Sequence, residues 1–288
     1  MGFDASNPYL QTDPRAEEKA QKEYQGVHVE GQVEAEFVYA TLLSTDLVPF
    51  AHLPFRPVVL PILPEGERYR ILTAAKARHD GYLGLAAWLE KAEEIWQEKR
   101  GAKAEKMSIY ERLDRFQGIT RQRAHTPFRV LYPDMTRVLF SGMVDETDLT
   151  SGPQEQSMSF RGLIVESMLY YYGTDNGDEA FYLDAFLNSD TVDQLLSTFR
   201  RRRQFNVPHI HTKIWEFPIP LYDGTNPDHT KLAELGRQCH ERAKVLVASL
   251  PKARVAGSLG RLRNMIREHL NDALQEVDSI TKSIMSSR

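Results

Sequence analysis

The chain has 288 residues, 41% hydrophobic and 26% charged, which is enough for one large domain or two small ones with cores of their own. Its net charge of -4 excludes a global basic field, so contact with nucleic acid must come from a local patch, and its single cysteine, Cys239, excludes an intrachain disulfide or a cysteine-rich zinc module. No apolar run approaches the ~20 residues that cross a bilayer and the N-terminus lacks an apolar secretory core, so a soluble protein of the reducing cytoplasm is expected.

Residues 1–30 are a polar arm, in which DPRAEEKAQKEYQ suits an exposed helix or a disordered segment. EFVYATLL (36–43) and RPVVLPIL (56–63) are β-branched and apolar, and the prolines of STDLVPFAHLPF between them suit bends and edge strands. From Asp80 to Arg100, Tyr82, Leu85, Leu89, Ala92 and Trp96 recur at steps of three or four, predicting an amphipathic helix. Residues 31–107 thus read as a small β unit plus that helix. Ser108 followed by Glu111 has capping-box spacing and opens a short helix. Strands are predicted in FRVLYP (128–133), RVLFSGMV (137–144) and FRGLIVESMLYYYG (160–173), separated by polar loops such as DETDLTSGPQEQS, and make 120–173 a mixed sheet. Residues 178–203 form two helical runs with Ser189 as the N-cap between them and Val192, Leu195, Leu196 and Phe199 on the buried face of the second. Asn226 and Pro227 start a helix that runs to about Leu250, where Pro251 stops it. A last helix from about Ser258 carries Leu262, Ile266, Leu270, Ala273, Val277, Ile280 and Ile284 at helical spacing. The expected class is α+β: a mixed-sheet domain over 108–225 with peripheral helices, then a C-terminal pair of long helices over 226–288.

The sharpest charge feature is the run Arg200, Arg201, Arg202 and Arg203 at a helix end, leading into QFNVPHIHTK. Such a run can complement the helix dipole on a solvated face, or clamp phosphates, whose oxygens match the guanidinium fork. Arg121, Arg123, Arg129, Arg137 and Arg161 stand in the sheet region, and arginine can also contact guanine bidentately in a major groove. His209 and His211 share one side of an extended segment and can ligate a metal, yet no Asp, Glu or Cys close in sequence completes a shell, and a contact or structural role is preferred. Nucleophile elbows and P-loops are absent. SNPYL (6–10) falls short of an adenine-methyltransferase Asn-Pro-Pro-Tyr loop, with one proline where two are needed and no glycine-rich cofactor turn before it. No metal site and no catalytic residue are assigned.

EAFYLDAFLNSDTVDQLL (179–196) and PHIHTKIWEFPIPLYDGTNPDHTKLAEL (208–235) together resemble the C-terminal region of large bacterial N6-adenine DNA methyltransferases, the fused restriction–modification type and their relatives in phage-defence systems. VEAEFVYATLLSTDLVPF (33–50) is similar to the segment that follows their catalytic domain, so the resemblance spans about 33–250. The family's catalytic half has no counterpart here. The resemblance therefore implies a target-recognition domain acting as a specificity subunit, with S-adenosylmethionine on a partner chain and no cofactor of its own. It implies double-stranded DNA as one partner and a catalytic methyltransferase subunit, docked through the C-terminal helices, as the other. Arg121, Arg123, Arg129, Arg137, Arg200, Arg201, Arg202, Arg203, His209, His211 and Lys213 would then face DNA. A protein-interaction module without DNA binding, or an inactive remnant of such an enzyme, is the alternative.

Overall fold

The computed structural model describes residues 6–14, 20–134, 138–151, 158–200, 219–251 and 257–286. In chain order the strands are β1 (Tyr9–Gln11), β2 (Glu30–Gln32), β3 (Val38–Thr41), β4 (Leu47–Val48), β5 (Ala51–His52), β6 (Arg56–Val59), β7 (Ile62–Glu65) and β8 (Arg68–Ile71), then β9 (Phe128–Pro133), β10 (Gly142–Asp145), β11 (Thr150–Ser151), β12 (Met158–Ser159) and β13 (Leu169–Thr174). The helices are α1 (Ala74–His79), α2 (Leu83–Lys99), α3 (Ile109–Leu113), α4 (Gly177–Asn188), α5 (Asp190–Arg200), α6 (Pro227–Ser249), α7 (Leu259–His269) and α8 (Asn271–Ser286). The class is α+β, as the sequence predicts. Every ladder among the described residues is antiparallel, in sheets of two or three strands, and parallel pairing is confined to the isolated bridges Ala40–Leu163 and Phe50–Gly142. No helix among the described residues is long and apolar enough to cross a membrane.

The chain divides into two compact units, the first made of Met1–Thr41, Arg56–His125 and Leu149–Ile164, the second of Leu42–Phe55, Thr126–Asp148 and Val165–Arg288. In the first unit β1 pairs with β2, so the described part of the N-terminal arm is tied into a ladder. β3 pairs with β6, Val38 opposite Val59, and β7 turns into β8 through Gly66, whose φ of 63° suits glycine. The Thr73 hydroxyl caps α1 by accepting from the Lys76 amide at 3.2 Å. At the start of α2 the Glu34 carboxylate, distant in sequence, accepts from the Gly84 and Leu85 amides at 2.9 and 2.8 Å. Orphan amides and an N-terminal partial positive charge make a carboxylate the natural partner there. Val33, Phe37, Leu72, Ala77, Leu85, Ala86 and Leu89 close one apolar core, and Tyr39, Leu60, Ile62, Tyr69, Ala124 and Ile164 a second. The Ser108–Glu111 capping box forms as the spacing predicts.

The second unit is built on the sheet β10-β9-β13, with Leu131 opposite Gly142 on one side and Tyr171 on the other. The hairpin β4–β5 turns through Pro49 and Phe50, the latter at φ 61°. This tight turn is what the prolines of that segment foreshadow. The Phe50 amide donates to the Ser141 carbonyl at 2.7 Å, and a Cβ on Gly142 would meet the Ala51 carbonyl at 2.5 Å, so the close approach requires glycine. Arg263 on α7 fastens the hairpin, donating to the Ser44 and Leu47 carbonyls at 2.9 and 2.8 Å while stacking over Phe140. Helix α4 is buried from Ala180 to Asn188 and packs on α6, where a Cβ on Gly236 would collide with the Phe181 carbonyl. Ser189 caps α5 through the Val192 amide at 3.2 Å, and Asn226 caps α6 through the Asp228 amide at 2.9 Å. The final apolar stripe is cut in two. Leu270, at φ -99° and ψ 6°, ends α7, and α8 restarts at Asn271.

One polar knot lies inside this unit. Asp184, with no exposure, accepts through Oδ1 from the Ser141 hydroxyl at 2.5 Å and from Asn188 Nδ2 at 3.2 Å, while its buried Oδ2 has no partner among the described residues. Burial pushes its carboxyl up to about 7, against the lowering effect of those two donors. Cys239 is also buried, and desolvation pushes its thiol up to about 12, so it is an unreactive core residue.

Candidate nucleic-acid interface

Two of the expected DNA-facing arginines share one exposed edge in the first unit. Along 121–125 burial alternates: Gln122 and Ala124 are buried, while Arg121, Arg123 and His125 are exposed. Two backbone bonds fasten the segment to the β7–β8 hairpin, the Tyr69 amide donating to the Thr120 carbonyl at 3.4 Å and the Ala124 amide to the Glu67 carbonyl at 2.9 Å. Ala124 is fixed in the core beside Tyr69, and the Gln122 side-chain amide donates to the Gly118 carbonyl at 2.8 Å, so both arginines turn outward.

The preceding turn supplies residues that no sequence motif marks. Asp114, just past α3, accepts from the Ile119 and Thr120 amides at 2.9 and 3.0 Å and from the Thr120 hydroxyl at 2.6 Å. The Gln117 amide returns to the Asp114 carbonyl at 2.8 Å and the Gly118 amide to the Arg115 carbonyl at 3.2 Å. This bracing holds Phe116 and Gln117 at φ 59° and 58°. Left-handed backbone at a residue with a side chain costs roughly 1–2 kcal/mol each, so the surrounding bonds must overdetermine it. Phe116 is 84% exposed, and the Arg115 guanidinium carbon stands 4.8 Å from its ring centroid. Next to the turn, Glu65, Glu67, Arg68, Tyr69, Gln117, Thr120 and Arg121 line a shallow groove of about 420 Å³.

Several carboxylates near these cations are already engaged. Glu111 is held in the capping box, where the Ser108 amide and hydroxyl lower its carboxyl, and Asp114 braces the turn. Glu65 lies 3.8 Å from Arg70, leaving Glu67 as the groove's other acidic side chain. A cationic edge, a flat exposed ring and a groove floored by polar atoms can hold a polyanion bearing aromatic groups. Neither a nucleophile–base pair nor a paired acid and base stands among these residues.

The remaining expected contacts fare differently. Arg129 is buried without exposure: its Nε lies 2.7 Å from Glu146 Oε1, an ion-pair contact without the alignment of a hydrogen bond, and its guanidinium covers the Tyr171 ring at 5.0 Å. Strand β9 is buried on both faces from Arg129 to Pro133, so Arg129 serves the interior. Desolvation carries the Glu146 carboxyl up to about 7 even beside that cation. Arg161 is exposed and hydrogen-bonds the Tyr39 side chain. Arg200 closes α5, but its side chain, together with Arg137, Arg201, Arg202, Arg203, His209, His211 and Lys213, lies outside the described residues. His229 and His240 are occupied in the second unit's fold, by the Asp223 amide at 3.1 Å and the Phe50 carbonyl at 2.8 Å. Among the described residues, no three His, Cys, Asp or Glu side chains converge to hold a metal ion. No protein-family model matches this chain, and no curated protein matches it.

Proposed function

We propose that this chain is a DNA sequence-recognition module for an adenine-specific DNA methyltransferase, in a restriction–modification or phage-defence system, without a catalytic domain of its own. The observation that supports it is the edge of the first unit, where Arg121 and Arg123 are exposed, Arg121 lines a groove with Arg68, and Arg115 stands over Phe116 in the preceding turn. Arginine contacts to phosphate supply affinity and register, and side chains of the adjoining turns supply selectivity. S-adenosylmethionine and the chemistry belong to a partner subunit, for which the C-terminal helices are the docking surface.

The test is affinity for mixed-sequence duplex DNA across a salt series. Every phosphate that a substitution leaves unneutralised reduces the slope of log K against log[salt] by about 0.9. Arg121→Ala/Arg123→Ala is expected to lower it by up to about 2, and Arg200→Ala/Arg202→Ala tests the basic run in the same way. A flat wild-type slope contradicts the proposal, as does methyl transfer by the purified chain alone. The net charge of -4 and the carboxylates of Glu65 and Glu67 favour the second reading, a protein-interaction module without DNA. A flat slope would be its signature.

A further inference from the structure

We infer that Phe116 is a stacking platform for an unpaired nucleobase in DNA; this rests on the DNA-recognition reading and specifies what one part of the surface takes. A lone exposed aromatic is ordinary, but this one is not left to find its own position. Two consecutive residues with side chains are held in left-handed backbone, and the Asp114 carboxylate, with three donors on it, keeps the turn in that shape. The product is a ring 84% exposed at the tip of a rigid turn. Backbone strain retained at an exposed, non-core position points to a role for what it displays.

The surroundings select the ligand. Arg115 lies over the ring at 4.8 Å, and Gln117, next in sequence, lines the groove that Arg68 and Arg121 also line. A peptide side chain would use the ring without needing these cations. A nucleotide uses both, its base stacking on the ring and its phosphates reaching the arginines, as in surfaces that hold single strands. In an intact duplex both faces of each base are already stacked, so the platform serves a base that is unpaired or displaced.

The experiment compares two DNAs of one sequence, a full duplex and a duplex with a single unpaired 2-aminopurine opposite a gap. Affinity is read by anisotropy and stacking by quenching of the 2-aminopurine emission. The wild type is expected to bind the gapped DNA about tenfold more tightly than the duplex and to quench its emission. Phe116→Ala is expected to remove that preference and the quenching, its loss on the gapped DNA being about tenfold larger than any loss on the duplex; Phe116→Trp keeps both effects, and Phe116→Leu, with bulk but no ring, loses them. The side chain is exposed, so folded circular-dichroism spectra are expected throughout. If the wild type binds duplex in a salt-dependent way but Phe116→Ala behaves as wild type on both DNAs, the platform is refuted and the recognition reading stands. Equal loss on both DNAs refutes the platform too, by making Phe116 a general contact. No binding of either DNA by the wild type overturns both.

Discussion

Asp184→Asn isolates a buried carboxyl whose ionisation the fold opposes. The carboxyl of Asp184 rises by burial from its ordinary 3.8 to about 7. Because the folded value exceeds the unfolded one, the folded chain holds the proton more tightly. The resulting stability is complete below about 3.8 and is lost as pH rises through about 7. At about 1.36 kcal/mol per pH unit of displacement, the loss is roughly 4 kcal/mol by neutral pH. Asparagine keeps the oxygen that accepts from Ser141 and Asn188 and stays neutral, but sets two donors where Oδ2 has no partner. That adds a pH-independent penalty of about 1–3 kcal/mol. The variant is therefore expected to be less stable than wild type near pH ~4 and at least as stable near pH ~8. Urea unfolding of both proteins across that range, followed through the second unit's tyrosines, measures the difference directly. Subtracting the two removes every other titrating group. A difference that stays constant with pH would refute the reasoning, since it would mean that Asp184 ionises normally inside the fold.

Arg129→Met is expected to destabilise the second unit by about 3–5 kcal/mol, because Glu146 loses its buried partner, with Glu146→Gln restoring much of it; the salt slope of DNA binding should not move. Thermal unfolding and anisotropy check the two halves. Gly236→Ala places a Cβ against the Phe181 carbonyl where α4 meets α6, and overpacking of this kind costs about 1–3 kcal/mol in a denaturant melt. Burial pushes His52 down to about 4 and lowers His240, so both favour the neutral ring in the fold. Their contribution is complete above about 6.5 and is lost as pH falls toward 4, the opposite sense to Asp184; His52→Gln is expected to flatten that acid limb.

What was legible in the sequence is what depends on near neighbours. The caps at Ser108, Ser189 and Asn226 act within three residues of themselves, and FRVLYP (128–133) is β9 from end to end. Distant partners decided the rest. Glu34 caps α2 from across the first unit, and nothing in its surrounding sequence announces that role. The final helix is continuous in its apolar spacing, but Leu270 packs into the core with a non-helical backbone and divides it. Among the site residues, Arg121 and Arg123 read as surface cations and are exposed, whereas Arg129 looks the same in sequence and is buried because both faces of its strand are covered. Phe116 sits in SIYERLDRF as an ordinary apolar residue of a short helix. Its exposure comes from the turn that Asp114 ties, which reaches forward to residues 119 and 120. Composition carries no trace of that geometry.

Selection of bound duplexes from a randomised pool, over repeated rounds at near-physiological salt, tests most directly whether this chain reads DNA sequence. A recognition module is expected to enrich a defined site, with each mismatch costing about 1–3 kcal/mol in the recovered sequences, and Arg121→Ala/Arg123→Ala is expected to weaken recovery. A bound pool with no sequence bias, or a pool that is not retained at all, would contradict the account.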